Sequence, residues 1–430
     1  MAETAPGVER AFSPQDCAAS AQRIMQHCEQ LAALSSLPDG VFRAYLTPEH
    51  RACNSTVAQW MQQAGLGSWQ DNAGNIWGRL AAAQENAPVL VVGSHLDTIP
   101  NAGKYDGILG VVLAVEAAAR LRENGLELPF HLDIAGFGDE EGSRFGTTLM
   151  GSRAAAGRWN PGWLELRDDQ GVSLAAALQD FGCDPFAMQS CDRSGEDLFA
   201  YLELHIEQGP VLEKQQQALG VVTSIAGARR FVVQIHGMAG HAGTVPMDMR
   251  RDALVAGATA VGLVESIGRR FDVVATVGQL QCWPGAPNVI PGECRFTIDI
   301  RSGRDSIRDL ALDTLVGEID AMVAARGLQI DWSETHNASA VTCASHLQRA
   351  MEDVLQAMHL VPVSLVSGAG HDAMSFDGIT DVGMLFLRCA GGISHHPDEC
   401  VEEADVAVAT AAFLNLLLAL GRRYSAGANG

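Results

Sequence analysis

A histidine closes the apolar run Val89-Leu-Val-Val-Gly-Ser-His95. An aspartate, Asp97, follows two residues later, and a second, Asp106, stands eleven residues beyond the histidine. Imidazole nitrogen and carboxylate oxygen are ligands for zinc-type metals. A metal-bound histidine usually has its other ring nitrogen fixed by a hydrogen bond, and Asp97 is spaced to offer a carboxylate for that. The apolar run Phe130–Phe137 ends in Gly138-Asp139-Glu140-Glu141-Gly142. Neighbouring carboxylates at a strand end point in different directions, so one can bind metal while the other faces a substrate. Without a cation they would raise each other's pKa. His205 ends a third predicted strand, Ala200–His205, and leads into Ile206-Glu207-Gln208-Gly-Pro. Near the C-terminus, His395 and His396 lie in the glycine-rich loop Gly391-Gly-Ile-Ser-His-His-Pro-Asp-Glu399. His95, Asp106, Glu141, His205 and His395 therefore all fall at strand ends or in adjoining loops. If Asp106 bridges, with one histidine and one further ligand per metal, they make a two-metal site. Any single histidine could be structural, and the acidic turn could be a solvated loop. The whole constellation is what argues for chemistry.

Positioning these residues requires an open α/β sheet, which presents ligands at the carboxyl ends of its strands. Helices are expected over Pro14 to Leu37 and from Thr47 through Met61. From Pro88 the pattern alternates: a strand at Val89–Val92, a buried helix after Asp106, then the strand Phe130–Phe137. That alternation predicts a mixed, mostly parallel sheet with helices on both faces. The character changes near Gly220. A half-exposed strand begins at Phe231, followed by a helix (Arg250–Arg269), two strands (Val273–Leu280, Cys294–Ile300), a second helix (Ser306–Ala325) and Leu328–Ser333. This β-α-β-β-α-β order is that of a ferredoxin-like α+β domain. The expected division is residues 1–219 and 335–430 for the main domain and 220–334 for an insert. The main domain resumes near His336 and ends in a helix over Ala404–Arg423, with Ser425–Gly430 as a frayed tail.

The chain of 430 residues is long enough for two cores. At 47% hydrophobic and 19% charged residues it reads as globular and soluble. A net charge of −22 argues against a nucleic-acid partner and against anionic lipid. No apolar run reaches the length of a membrane span, Phe413–Leu420 being too short, and residues 1–9 lack a signal pattern, so a cytoplasmic location is expected. Ten cysteines without a Cys-x-x-Cys pair read as reduced and mostly buried.

From about Phe42 to Leu417 the sequence resembles the N-carbamoyl-L-amino-acid hydrolase and allantoate amidohydrolase family, a branch of the di-zinc aminoacylase and carboxypeptidase clan. The resemblance rests on GSHLDTIPNAGKYDGILG, GDEEGSRF, LHIEQGPVLE, GHAGTVPMDMRRDA, PNVIPG, DIR, SGAGHDAM and GGISHHPDE. It implies a di-zinc exopeptidase-like fold and an insert serving as lid and dimerisation domain. It also implies two divalent ions per subunit, zinc or manganese, with cobalt and nickel able to share such ligands. His95 and His395 would hold opposite metals, Asp106 would bridge them, Glu141 and His205 would complete the pair, and Glu140 would be the general base. His396 stands where the family has a small polar residue. Gln208, Asn288 and Arg301 would contact a small ureido carboxylate substrate, and His241 would reach into the partner site of a homodimer to stabilise the oxyanion. His371 reads as loop structure. The expected reaction is hydrolysis of the ureido C–N bond of allantoate or an N-carbamoyl-L-amino acid, with ammonia released. An aminoacylase or dipeptidase using the same centre is the alternative. A catalytically silent relative serving as a binding protein would be expected to lack Glu140 or a metal ligand, and all are present.

Overall fold

The computed structural model describes residues 12–428. The chain divides into two units. One comprises residues up to Thr223, Cys343–Leu365 and those from His371 onward; the other is Ser224–Thr342 with Val366–Gly370.

The first unit is built on a sheet whose strands lie in the order Gly67–Gln70, Ile76–Leu80, His131–Phe137, Val89–His95, Leu198–Ile206, Val382–Leu387, Leu219–Ile225. The four inner strands are parallel and the flanking ones antiparallel. Val89–His95 and His131–Phe137 are buried along their whole length, which explains their unbroken apolar runs. Val89–His95 lies between the strand that follows it in the order of the chain and Leu198–Ile206, which turns to its other side. The order reverses there, and such a switch opens a crevice at the carboxyl ends of the strands.

Helices lie on both faces, but unequally. Leu90, Val92, Leu132, Ile134, Leu202, Leu204, Leu385 and Leu387 share one core with the helices Ala18–Ala32, Pro48–Gln63, Ile108–Glu123, Ser345–Ala357 and Glu403–Ala428. The opposite face is covered by short elements. There the Phe376 ring, in the turn Asp372–Phe376, stacks on Tyr201 at 4.4 Å and lies 6.1 Å from Phe137.

The last helix corrects two expectations. It runs from Glu403 to Ala428, through most of the predicted tail; residues 429–430 lie outside the described residues. Its stretch Glu403–Ala426 is long and apolar enough to cross a membrane, yet 83% of its most apolar window is buried within the protein, so it forms a core helix. The absence of a signal pattern was read from residues 1–9, which also lie outside the described residues.

The second unit has a five-stranded antiparallel sheet. Its main order is Leu280–Trp283, Glu293–Ser302, Gly227–His236, Gln329–Ala338, and Val274–Thr276 also pairs with Glu293–Ser302. The helices Ala253–Phe271 and Asp305–Ala325 share its core. The predicted strand Val273–Leu280 is interrupted, giving two short edge strands. The last strand extends past the expected end of the insert at Glu334, because it stays paired with Gly227–His236 as far as Ala338 opposite Ala228. His336 thus belongs to this unit, and the chain leaves it at Thr342.

Candidate metal centre

His95 is the final residue of its strand and is 2% exposed. Gly107, at φ +71°, precedes the helix Ile108–Glu123, and a Cβ there would sit 2.4 Å from the His95 ring. Only glycine accommodates both the backbone and the imidazole at that point. Between them, Asp106 carries the centre. Its Oδ1 lies 3.1 Å from His205 Nε2 and 3.7 Å from His95 Nε2, and its Oδ2 lies 3.3 Å from His395 Nε2. The same His395 nitrogen is 3.5 Å from Glu141 Oε1. Two groups result, His95–Asp106–His205 and Asp106–Glu141–His395, each with its ligand-type atoms within 4.8 Å of one another. The structure therefore brings together all five residues expected as ligands. His396 stays outside: it is 58% exposed and its Nδ1 accepts the Asp398 backbone N–H at 3.1 Å.

Asp97 departs from its expected role. His95 Nδ1 meets the Asp97 backbone carbonyl at 3.0 Å, and the carboxylate is 3.8 Å away. That carboxylate instead accepts the backbone N–H groups of Glu140 at 3.1 Å and Glu141 at 3.3 Å. Just past His95 the Leu96 N–H still bonds the Phe137 carbonyl at 2.9 Å, and the Asp97 side chain reaches across to the loop that follows Phe137.

The centre carries more carboxylates than its histidines can neutralise. Burial pushes Glu140 well above the usual carboxylate range; His95 opposes this, while Glu141, Asp372 and Asp97 add to it. Burial likewise raises Glu141, to about 7. Asp106 goes the other way: burial would raise it, but its bonds with His205, His395 and His95 hold it well below the usual range. Crowded, desolvated carboxylates beside imidazole nitrogens fit divalent cations, whose charge would remove the repulsion.

Sequence reasoning missed three participants. Glu399 is buried and accepts the backbone N–H groups of Tyr105 and Asp106. Glu203 is buried behind the centre, where it accepts the Ser94 hydroxyl at 2.9 Å and the Tyr201 hydroxyl at 3.2 Å. His371 is also buried, its ring centroid 4.5 Å from that of His205 in an edge-on contact, and burial with nearby His205 pushes its pKa well below the ordinary histidine value. The available signal was a charged residue within an apolar strand for Glu203 and a glycine-rich setting for the other two.

Gln208, expected at the substrate, donates its amide to Asp106 Oδ2 at 2.9 Å, while its Oε1 is buried without a hydrogen-bond partner. In the second unit, His241 pairs with Val289 in a short two-stranded ribbon, and the Ala242 N–H bonds the Asn288 carbonyl, so His241 and Asn288 are neighbours. Arg301 bonds both Asp299 oxygens, each at 2.8 Å, and the Gly368 carbonyl at 2.8 Å. Three of its five N–H groups are thereby used. It lines a cavity of about 560 Å³ within the second unit, with Thr276, Gln279 and Thr297.

A carboxylate shared by two clusters of imidazole and carboxylate donors, at the switch point of an α/β sheet, could hold metal ions. Residues 91–419 match the profile of peptidase family M20/M25/M40, and the chain belongs to that family. It is 37% identical to an N-carbamoyl-L-amino-acid amidohydrolase of Pseudomonas sp. (strain NS671), covering 91% of this chain and 96% of the relative. It is 38% identical to allantoate deiminase 1 of Glycine max, covering 90% and 87%. A hydantoinase/carbamoylase-family amidase from Burkholderia multivorans superposes with a TM-score of 0.87 at 31% identity, covering 93% and 97%.

Proposed function

We propose that this protein is a metal-dependent amidohydrolase acting on the ureido C–N bond of a small carboxylate, allantoate or an N-carbamoyl-L-amino acid. The observation that carries this reading is Asp106 set between two donor groups, with Glu140 beside His95 and Glu141. The named activities of the relatives support the substrate class.

His95, Asp106 and His205 would hold one divalent ion and Asp106, Glu141 and His395 the other, zinc or manganese in the first instance. Bound there, such ions supply Lewis acidity toward water and the ureido carbonyl. Glu140 serves as the base, taking a proton from the attacking water and returning it to the leaving nitrogen. Asp97, by holding the Glu140 and Glu141 backbone, keeps base and ligand on opposite sides of one turn. Arg301, oriented by Asp299, has two N–H groups left for the substrate carboxylate, with Asn288 and Gln208 as further polar contacts. His241, supplied by the partner subunit of a homodimer, stabilises the oxyanion. Collapse breaks one ureido C–N bond, and the carbamic acid left behind loses carbon dioxide, so that ammonia, carbon dioxide and the amine product are released. The cytoplasm is the proposed location.

The decisive experiment is a substrate panel of allantoate, ureidoglycolate, N-carbamoyl-L-amino acids, N-carbamoyl-β-alanine, N-acetyl-amino acids and dipeptides, followed by ammonia release and metal content per chain. Ammonia from a ureido substrate supports the proposal. Turnover confined to N-acetyl-amino acids or dipeptides would replace it with an aminoacylase or peptidase.

A further inference from the structure

Glu399 lies four residues beyond His395 and is 4% exposed. Its Oε1 accepts the backbone N–H of Tyr105 at 2.8 Å and of Asp106 at 3.1 Å, on a loop almost three hundred residues earlier. Its Oε2 lies 3.0 Å from the Ser394 hydroxyl, which is also 3.0 Å from Asp106 Oδ2. One side chain therefore touches both the loop that carries Asp106 and the loop that carries His395. The fit is close: a Cβ at Gly103 would fall 2.2 Å from the Glu399 carboxyl carbon.

We infer that Glu399 is a positioning residue that locks these two loops in register, so that Asp106 and His395 converge as a pair. The inference rests on the reading of both as metal ligands. A carboxylate accepting two backbone N–H groups fixes the backbone of the loop it faces. Without it, Asp106 keeps its place toward His95 and His205 better than toward His395, because those histidines lie within hydrogen-bonded inner strands and His395 stands on a loop. Loss of Glu399 then weakens chiefly the group containing Glu141 and His395. Supporting residues of this kind typically change metal affinity about 10–100-fold.

The test uses the full-length, metal-loaded protein and its Glu399→Ala, Glu399→Gln and Gly103→Ala variants. Zinc affinity at each equivalent is read by chelator competition, with melting temperature and circular dichroism as fold controls. Glu399→Ala and Gly103→Ala are expected to hold one equivalent as wild type does and the second at least tenfold more weakly. Glu399→Gln keeps an oxygen for the two N–H groups and is expected to recover much of that affinity. Gly103→Ala disturbs the carboxyl group without deleting it, so the inference stays testable if Glu399→Ala does not fold. Folded variants that bind both equivalents as wild type does, even with a lowered melting temperature, would overturn the positioning role. A wild-type chain that binds no zinc overturns the metal reading itself, a result separate from any variant.

Discussion

The Asp97 carboxylate holds the Glu140 backbone N–H at 3.1 Å while its own main-chain carbonyl holds His95 Nδ1 at 3.0 Å. One residue thus orients His95 through its backbone and the turn of Glu140 and Glu141 through its side chain. In Asp97→Asn the carbonyl contact survives, but one carboxylate oxygen becomes an NH2 facing an N–H donor. The expected outcome is a loss in kcat of about 10–100-fold, the range for supporting residues, with both metals retained. Metal analysis beside steady-state kinetics checks it; loss of metal in parallel with activity would return Asp97 to a role on His95.

Glu140→Gln should keep two metals and lose most turnover, because the ligands are untouched and the proton carrier is gone. General acid–base groups contribute about 10²–10⁴-fold. Activity within tenfold of wild type, or loss of metal, would remove Glu140 from the base role.

Arg301→Lys should raise KM for every carboxylate substrate with little change in kcat. An ammonium cannot bond both Asp299 oxygens, the Gly368 carbonyl and a substrate carboxylate in one plane. An unchanged KM would leave Arg301 as a purely structural partner of Asp299.

Mixing Glu140→Gln subunits with His241→Ala subunits tests the shared site. Each homodimer is expected to be inactive, while a mixed dimer has one site with both residues intact. Partial recovery of activity after subunit exchange is the expected result; exchange without recovery rules the arrangement out.

His50 offers a check on the fold alone. It is fully buried, its Nδ1 accepts the Leu46 N–H at 3.1 Å, and its ring stacks on Phe181 at 5.1 Å. Burial, with Arg43 and Arg51 nearby, pushes its pKa down to about 3. The unfolded chain binds this proton below roughly pH 6.5 and the folded one does not, so His50 stabilises fully above that pH and its contribution is lost as pH falls toward 3. The slope approaches about 1.4 kcal/mol per pH unit across that window. Urea denaturation from pH 7 to 4.5 should show a shallower fall for His50→Asn, whose amide oxygen can accept the same N–H. Parallel curves would refute the buried neutral state.

The convergence of His95, Asp106, Glu141, His205 and His395 was legible because His95, Glu141 and His205 follow or close apolar runs that are inner strands, and Asp106 and His395 stand in the adjoining loops. The ferredoxin-like insert was legible from its alternation of strands and helices. Its true extent was not: residues 335–337 are polar and exposed, and backbone pairing carries Gln329–Ala338 on in the sheet. Glu399 was visible in its motif but not its use, since its partners are main-chain N–H groups that carry no sequence signature. The spacing of Asp97 from His95 suggested a side-chain contact, but the backbone carbonyl meets the ring while the carboxylate serves the Glu140 and Glu141 N–H groups. The uneven helix coverage was equally hidden, because a fully buried strand does not reveal which face a helix covers.

The insert divides the donors in time as well as in sequence. His95, Asp106, Glu141 and His205 all precede it, whereas the inner strand Val382–Leu387 and His395 follow it. Domains form in order as a chain is synthesised. A nascent chain therefore carries one complete donor group, His95–Asp106–His205, long before the strand beside it exists. The second group waits for nearly the whole polypeptide, so Asp106, Glu141 and His395 come together only at the end of synthesis, and fragments terminating within the insert can never assemble it.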